Sequence, residues 1–248
     1  MTMTELAQRA ALITGVSSAI GSRLATTFGG YGAQVIGTYR EGRTAAEDAV
    51  ASLPTDRRWL LRADLVDGAS ARALWQEATS LADIDTLVVN AAAQQRTPLV
   101  GEIDEWDAGW EQSLKVNVTS AATLMREAAA TFADRGFGSI ITISSWAGQQ
   151  GSRIPDLGAY AASKAALRNF GQTLARAYAQ KSVRVYTIAP GVVDAGMGIA
   201  DLSDEAIQSV AHGLTMGHHV DAQEIAELAA FLATDRAHTN TLFDVIAA

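Results

Sequence analysis

The stretch "AALITGVSSAIG", residues 10–21, connects a short apolar run to the start of a helical pattern. Gly15 permits a tight turn, and Gly21 allows the new helix to pack closely against the strand. Because most residues between the two glycines are small, a diphosphate can approach the backbone, where N–H groups at the helix start attract an anion. The predicted phosphate contacts are Ser17, Ser18, Ala19 and Ile20. A turn with only a structural role is the alternative for this motif taken alone.

The rest of the chain alternates β-rich and helical segments. The predicted strands span residues 10–14, 34–39, 58–65, 86–90, 138–144, 183–189 and 241–246. The predicted helices span residues 18–28, 44–52, 69–81, 104–133, 159–180 and 222–233. Continuous apolar strands are typical of a parallel sheet that is covered on both faces. The alternation therefore predicts the α/β class, as a Rossmann-like, doubly wound parallel sheet of about seven strands flanked by helices.

The organisation of the chain is simple. No Pro- or Ser-rich linker, internal repeat or charge block interrupts it, so we expect a single domain over residues 1–248. The segment 191–219 is the exception, since it is long and rich in glycine and histidine around a predicted short helix at 204–211. Long connections in compact domains often form binding loops, so we expect this one to contact the substrate. A mobile surface loop is the alternative.

The composition excludes several functions. Of 248 residues, 48% are hydrophobic and 19% charged, which is typical of a soluble globular protein. A formal net charge of −8 gives no electrostatic reason to bind nucleic acid or an anionic membrane. The chain has no cysteine, which excludes disulfides and thiolate chemistry, and its start lacks the basic-then-apolar pattern of a signal peptide. We therefore expect a cytoplasmic protein that needs no metal.

The glycine-rich turn and the later motifs resemble the short-chain dehydrogenase/reductase family, in its subgroup of roughly 250-residue, single-domain oxidoreductases. The family's turn reads Thr-Gly-x-x-x-Gly/Ala-x-Gly, and Thr14, Gly15, Ala19 and Gly21 match it. The resemblance covers nearly the whole chain, because the later motifs follow in the family's order. It implies a nicotinamide dinucleotide as cofactor.

The second predicted strand ends in "TYREGR", where such a dinucleotide places its adenosine ribose. Tyr39 stands where NAD-preferring relatives carry an acid, and Arg40 follows it, with Arg43 nearby. A guanidinium binds a 2′-phosphate well, whereas a carboxylate repels it. The pattern therefore favours NADP(H) over NAD(H). The alternative is that these arginines are merely solvated.

The resemblance implies further cofactor contacts along the chain. Asp64 matches the family's acid that bonds the adenine amine, with Leu65 beside it. The "NAAA" stretch fills the family's Asn-Asn/Ala-Ala-Gly pattern, with Ala93 where glycine is commoner. The turn after the sixth strand provides the last contacts, although Ala195 replaces the threonine that often bonds the carboxamide. The residues assigned to the cofactor here are Asp64, Leu65, Asn90, Ala91, Ala92, Pro190, Gly191 and the Val193 backbone.

The stretch "SSWAGQQGSRIPDLGAYAASKAAL", residues 144–167, carries the catalytic prediction. Tyr160 and Lys164 are four residues apart in a strong helical pattern, so both project from one face. We expect the ammonium to lower the pKa of the phenol below its reference of about 10. Such a tyrosine can exchange a proton with a carbonyl or alcohol oxygen, and the Ser145 hydroxyl can hold that oxygen.

These residues resemble the family's catalytic serine and Tyr-x-x-x-Lys signature. In relatives the lysine also bonds the nicotinamide ribose, so Tyr160 and Lys164 belong to both the catalytic and the cofactor set. Asn117, in "KVNV", matches the family's asparagine that completes a proton relay. Each residue alone has a structural alternative, such as a turn cap for Ser145. Their occurrence together, in order and after a nucleotide-binding turn, favours catalysis.

The substrate site is less determined by the sequence. Ser145 and Tyr160 are two residues further apart than is usual in the family, so we expect an enlarged loop at residues 149–158. The candidate substrate contacts are Gln94, Ser145, Trp146, Gln149, Met197 and Met216. Core packing is the alternative for Trp146 and the two methionines. His212, His218 and His219 lack the acidic pattern of a zinc site, so no metal is predicted.

Several functions fit these residues. The leading hypothesis is an NADP(H)-dependent oxidoreductase that reduces a ketone or oxidises a secondary alcohol, with Tyr160 as acid or base. The alternatives are a dinucleotide-binding scaffold or sensor without turnover, and a dehydratase or epimerase of the same fold. Relatives commonly form tetramers through the long helices and the last strand. We expect a homotetramer, or failing that a dimer, that acts on a small carbonyl or alcohol substrate.

Overall fold

A computed structural model describes residues 6–194, 208, 212, 216–234 and 241–246. Over these residues, seven parallel strands form one sheet in the order β3-β2-β1-β4-β5-β6-β7. The strands are β1 Ala10–Ile13, β2 Gln34–Tyr39, β3 Arg58–Arg62, β4 Thr86–Val89, β5 Gly138–Ile143, β6 Val183–Pro190 and β7 Thr241–Val245. The predicted parallel sheet is confirmed. Several of the predicted strands extend one to three residues past the ends of the observed strands.

Helices connect the strands, because neighbouring parallel strands need crossover connections. They are α1 Ala19–Gly30, α2 Arg43–Val50, α3 Gly68–Leu81, α4 Ile103–Leu114, α5 Ala121–Arg135, α6 Ala147–Gln150, α7 Gly158–Tyr178 and α8 Ala222–Leu232. Short 3₁₀ turns lie at Thr55–Arg57, Pro155–Leu157 and Ala179–Lys181. The predicted helix at 204–211 lies outside the described residues, apart from residue 208.

Two hydrophobic cores lie on the opposite faces of the sheet. One core packs α1, α2 and α8 against the sheet, around Ile13, Phe28 and Ile225. The other packs α3, α5 and α7, around Leu12, Leu124 and Leu167. Neighbouring residues Leu12 and Ile13 belong to different cores because successive side chains of a strand point to opposite faces. This explains why the strands read as continuous apolar runs.

The sheet reverses its strand order beside β1, which pairs with β2 on one side and β4 on the other. Chain connections leave the two strands in opposite directions at this point, so a crevice opens at their carboxyl ends. The residues that follow β1, β2 and β4 therefore meet at one edge of the sheet. The motifs after Ile13, Tyr39 and Val89 all lie there.

The long helix predicted for residues 104–133 is not continuous. A π-helical segment, Lys115–Ser120, separates α4 from α5 and contains Asn117. A π segment accommodates an extra residue in the turn and often occurs at functional sites. The prediction of one regular helix was wrong. The hydrophobic periodicity of 30 residues does not reveal a change in helical phase that is confined to six of them.

No helix in the described ranges is both long and apolar enough to cross a membrane.

Candidate active site

The turn after β1 is shaped by two close backbone approaches. Gly15 has a φ of 74°, and a Cβ atom there would lie 3.1 Å from the Ala91 Cα. A Cβ atom on Gly21 would lie only 2.1 Å from the Gly15 carbonyl oxygen, so a larger residue would force the turn open. Thr38 accepts a hydrogen bond from the Gly15 N–H at 3.2 Å. These contacts hold the backbone in the form that a diphosphate requires.

Thr14 and Asn90 join this turn to the end of β4. The Thr14 Oγ1 accepts hydrogen bonds from the backbone N–H groups of Asn90 and Ala91, at 2.9 and 3.0 Å. The Asn90 side-chain amide donates to the carbonyls of Thr14 and Gly15, at 2.9 and 3.1 Å. Thr14 is fully buried, so it supports the turn from beneath. Thr14, which the sequence predicts to contact the cofactor, thus bonds the end of β4 through its hydroxyl.

A cleft of about 420 Å³ lies above this turn at the carboxyl edge of the sheet. Every residue of the predicted cofactor set lines it except Thr14, Gly21 and Val193. Gly21 packs beneath the turn, and Val193 pairs with Val220 in a parallel bridge. The cleft runs from the glycine-rich turn to Tyr160 and therefore brings most of the predicted residues together.

The adenosine end of the cleft contains an acid as well as the predicted cation. Arg40 and Glu41 both line it, and the Arg40 Nε lies 3.5 Å from a Glu41 carboxylate oxygen. Sequence reasoning missed Glu41, although its place next to Arg40 was a usable signal. Arg43 does not line the cleft and bonds Glu47 at 2.8 Å. Of the two arginines, Arg40 is thus the one whose side chain lines the cleft at this end.

Lys164 ties the catalytic helix to the sheet. Its ammonium donates a hydrogen bond to the Ile143 carbonyl at 2.8 Å, and the Ser144 hydroxyl donates to the Lys164 carbonyl at 3.0 Å. The Lys164 side chain lies against the Tyr160 ring, with Nζ 5.7 Å from the ring centroid. Burial disfavours the charged form and lowers the pKa of Lys164 to about 8.

Tyr160 lies in the same cleft, beside Ser145. Burial raises the pKa of the Tyr160 phenol above its ordinary value, and a hydrogen bond with the Ser145 side chain opposes this shift. The predicted lowering of this pKa is therefore wrong, because desolvation outweighs any effect of Lys164. The phenol consequently keeps its proton at neutral pH and can donate it. The Ser145 and Tyr160 side chains both line this end of the cleft.

Asn117 lies behind the cleft rather than in it. Its side chain accepts a hydrogen bond from the Ala93 N–H at 2.7 Å and donates to the Ala93 carbonyl at 2.8 Å. It also donates to the Ser163 hydroxyl at 2.9 Å, which in turn donates to the Tyr160 carbonyl at 2.7 Å. Asn117 therefore links the end of β4 to the helix that carries Tyr160. Ser163 was missed by sequence reasoning, although it lies within the "YAASK" motif.

The predicted substrate contacts do not all meet in the cleft. Gln94 and Ser145 line it. Trp146 stacks beneath the Arg153 guanidinium, which lies 4.8 Å from the ring centroid, and Gln149 donates a hydrogen bond to Asp244. The side chains of Trp146 and Gln149 are thus already engaged by other residues. Met216 is 62% exposed, and Met197 lies outside the described residues, as does Ala195.

Over the described ranges, no three His, Asp or Glu side chains are grouped as metal ligands. The His218 ring nitrogen Nδ1 instead lies 2.8 Å from the His219 carbonyl.

The residues of the cleft fit a nicotinamide dinucleotide. The turn has no Cβ at Gly15, where the Ala91 backbone lies closest, and α1 presents its N-terminus, capped by the Ser18 hydroxyl, to the cleft. These features suit a diphosphate. The opposite end offers the buried ammonium of Lys164 and the phenol of Tyr160.

Comparisons with known proteins agree with this geometry. A family model described as "Enoyl-(Acyl carrier protein) reductase" matches residues 15–244. The chain is 32% identical to a cis-4-hydroxycyclohexanecarboxylate dehydrogenase of Sinomonas cyclohexanicum, over 93% of this chain and 91% of that protein. It is also 32% identical to the 3-oxoacyl-[acyl-carrier-protein] reductase FabG of Escherichia coli, over 92% and 90% of the two chains.

A solved structure shows the same fold. The 3-oxoacyl (acyl-carrier-protein) reductase from Agrobacterium tumefaciens, with NADP bound, aligns with a TM-score of 0.86 at 29% identity, over 97% of this chain and 93% of that one. The fold, the cleft and these relatives define an oxidoreductase of the nicotinamide-dependent class. Within that class, the chain belongs to the short-chain dehydrogenase/reductase family.

The buried ammonium of Lys164 makes a testable contribution to stability. We expect Lys164→Met to raise the free energy of unfolding at pH 7 by about 1–3 kcal/mol, because the fold no longer buries a charge. The pKa of Lys164 is about 8 in the folded protein, against an ordinary value of 10.5. Between these two pH values the unfolded chain therefore binds more protons than the folded chain. Wild-type stability therefore rises with pH across this window, and the advantage of the variant shrinks. Urea unfolding at about pH 7 and about pH 9.5 measures both effects.

Lys115→Met is the matched control. Lys115 is half exposed and pairs with Glu111 at 2.7 Å, so its removal should change stability by no more than about 0.5 kcal/mol. A Lys164→Met protein that is no more stable than wild type at pH 7 would contradict the expected cost of burying this charge.

Proposed function

We propose that this protein is an NADP(H)-dependent oxidoreductase that reduces a ketone, or oxidises the corresponding secondary alcohol. The observation that carries the proposal is the placement of Ser145, Tyr160 and the buried Lys164 ammonium in the cleft that begins at the glycine-rich turn. A binding protein has no need for a phenol beside a buried ammonium at the far end of such a cleft. A proton donor beside a nicotinamide site is what carbonyl reduction needs.

The roles of the side chains follow from their contacts. When bound, the nicotinamide supplies the hydride for reduction or accepts it in oxidation. The Tyr160 hydroxyl donates its proton to the carbonyl oxygen, and the Ser145 hydroxyl holds that oxygen by a hydrogen bond. The ammonium of Lys164 favours the phenolate that remains, and Asn117 fixes the start of the helix through Ser163.

The raised pKa of Tyr160 favours the reductive direction. At neutral pH the phenol is protonated, so it acts as an acid without a preceding ionisation. Reduction should decline as the pH rises above about 8, because Lys164 then loses the charge that stabilises the developing phenolate.

The relatives indicate the substrate class. Their names describe a 3-oxoacyl thioester reductase and a dehydrogenase of a hydroxylated cyclohexane carboxylate. We propose a 3-oxoacyl thioester or a cyclic ketone for this chain, as small carbonyl substrates that present one oxygen to Ser145 and Tyr160.

Tyr160→Phe tests the mechanism. Removal of the hydroxyl should lower kcat by about 10²–10⁴-fold, because the proton donor is lost. The NADPH dissociation constant should change little, since the ring remains in the cleft. Ketone panels followed at the absorbance of the reduced nicotinamide, together with fluorescence titration of NADPH, measure both quantities. NADPH binding by the wild type without turnover on a broad panel would instead identify a sensor, and turnover without net cofactor oxidation a dehydratase or epimerase.

Arg40→Asp tests the cofactor preference. The substitution replaces a guanidinium at the adenosine end with a second carboxylate beside Glu41. We expect the ratio of NADPH to NADH affinity to fall by about 10- to 100-fold, the size expected for a lost charge-assisted hydrogen bond. Arg43→Asp is the control, since Arg43 bonds Glu47 outside the cleft. An unchanged ratio in Arg40→Asp would refute the assignment of Arg40.

We also propose that the protein is a cytoplasmic homotetramer with one domain per chain. Leu99, Val100 and Ile103 expose apolar surface before and at the start of α4, which a second copy of the chain could cover. Light scattering should give a molar mass near four chains, and a monomeric mass would exclude the proposal.

A further inference from the structure

Two loops at the rim of the cleft meet at one buried threonine. The first loop follows β4 and carries Gln94 and Gln95, which line the cleft. The second precedes α7 and contains the 3₁₀ turn Pro155–Leu157. Thr97 lies at the junction of these loops and has no exposed surface. Neither the sequence motifs nor the roles proposed above include it.

Thr97 makes three hydrogen bonds across this junction. Its backbone N–H donates to the Asp156 carbonyl at 2.6 Å. Its hydroxyl donates to the same carbonyl at 3.1 Å and accepts a hydrogen bond from the Ala159 N–H at 3.4 Å. We call this set of bonds among Thr97, Asp156 and Ala159 the clasp. It connects residues more than 50 positions apart in sequence, so the tertiary fold creates it.

The clasp supplies a hydrogen-bond acceptor to the first turn of α7, the helix that carries Tyr160. Helix α7 begins at Gly158, and Leu157 at its N-cap position has no side chain that can accept a hydrogen bond from the first turn. The first N–H groups of a helix lack partners within the helix and normally find a capping oxygen. The Thr97 hydroxyl supplies that oxygen to Ala159, the residue immediately before Tyr160.

Helix α4 fixes Thr97 from the other side. A Cβ atom on Gly109 would lie 2.6 Å from the Arg96 carbonyl oxygen and 2.7 Å from the Thr97 methyl carbon. The helix therefore approaches the loop backbone as closely as glycine permits. Thr97 is held by α4 on one side and bonds the start of α7 on the other, so its hydroxyl has a fixed position.

From these contacts we propose that Thr97 is a positioning residue for Tyr160. Its hydroxyl caps the helix one residue before the catalytic tyrosine and thereby sets the place of the phenol relative to Ser145. Because Thr97 belongs to the same loop as Gln94 and Gln95, the clasp also fixes this wall of the substrate site relative to the proton donor. The proposal rests on the proposed function, in which Tyr160 donates the proton.

Thr97→Val is the sharpest test, because it keeps the shape of the side chain and removes only the hydroxyl. We expect kcat for ketone reduction to fall about tenfold, less than the roughly hundredfold that a misplacement of about 1 Å can cost. The NADPH dissociation constant should stay within about twofold, since Thr97 does not line the cleft. Amide hydrogen exchange of the Ala159–Tyr160 segment should become faster, whether or not a substrate turns over.

Two variants control the experiment. Thr97→Ser retains the hydroxyl and should restore most of the kcat. Asp156→Asn neutralises the carboxylate that pairs with Arg96 at 3.3 Å but leaves the backbone carbonyl used by the clasp. Because that ion pair is largely exposed, Asp156→Asn should keep kcat and exchange near wild type. If Thr97→Val does not fold, Thr97→Ala compared with Thr97→Ser isolates the hydroxyl in the same way.

The outcomes separate the two proposals. If the wild type reduces ketones, two results for Thr97→Val overturn the positioning role. One is an unchanged kcat, and the other is a parallel loss of kcat, NADPH binding and stability. Thr97→Ser that is as impaired as Thr97→Val overturns it as well. A wild type without turnover on any ketone defeats the proposed function instead, and the exchange measurement then still shows whether the clasp caps α7.

Discussion

The hydrogen bond from the buried Lys164 ammonium to the Ile143 carbonyl is the constraint on which the site depends. It places a cation where water is excluded, and burial alone would favour the neutral amine. The bond nevertheless fixes α7 against the end of β5. The Ser144 hydroxyl strengthens this helix–strand contact by donating a hydrogen bond to the Lys164 carbonyl. Since Ser145 follows directly after Ser144 and Tyr160 lies one turn before Lys164, one helix–strand contact positions both Ser145 and Tyr160.

A second scaffold supports the opposite end of the cleft. Thr14 and Asn90 join β1 to β4 beneath the glycine-rich turn, at the point where the strand order reverses. Asn117 connects this scaffold to the first one, because it bonds Ala93 after β4 and reaches α7 through Ser163. The cofactor end and the catalytic end are therefore parts of one hydrogen-bonded frame at the carboxyl edge of the sheet.

The sequence predicts the parts of this frame that follow local rules. Alternating apolar runs and helical patterns gave the sheet, and spacing put Tyr160 and Lys164 on one helix face. Other features depend on residues distant in the chain. The π segment around Asn117, the cap that Thr97 provides and the raised pKa of Tyr160 all require the packed structure, because neither tertiary contacts nor desolvation can be read from local periodicity.

The π segment between α4 and α5 also links the position of Asn117 to the packing of the core. The extra residue in the π-helical turn sets the direction in which Asn117 projects from the helix axis. It also sets the rotation of α5, which follows directly. The apolar face of α5, including Leu124 and Phe132, keeps its contact with the core only at that rotation. An insertion or deletion in this π segment would therefore move both Asn117 and the apolar face of α5. The length of the segment can change in evolution only if the core changes with it.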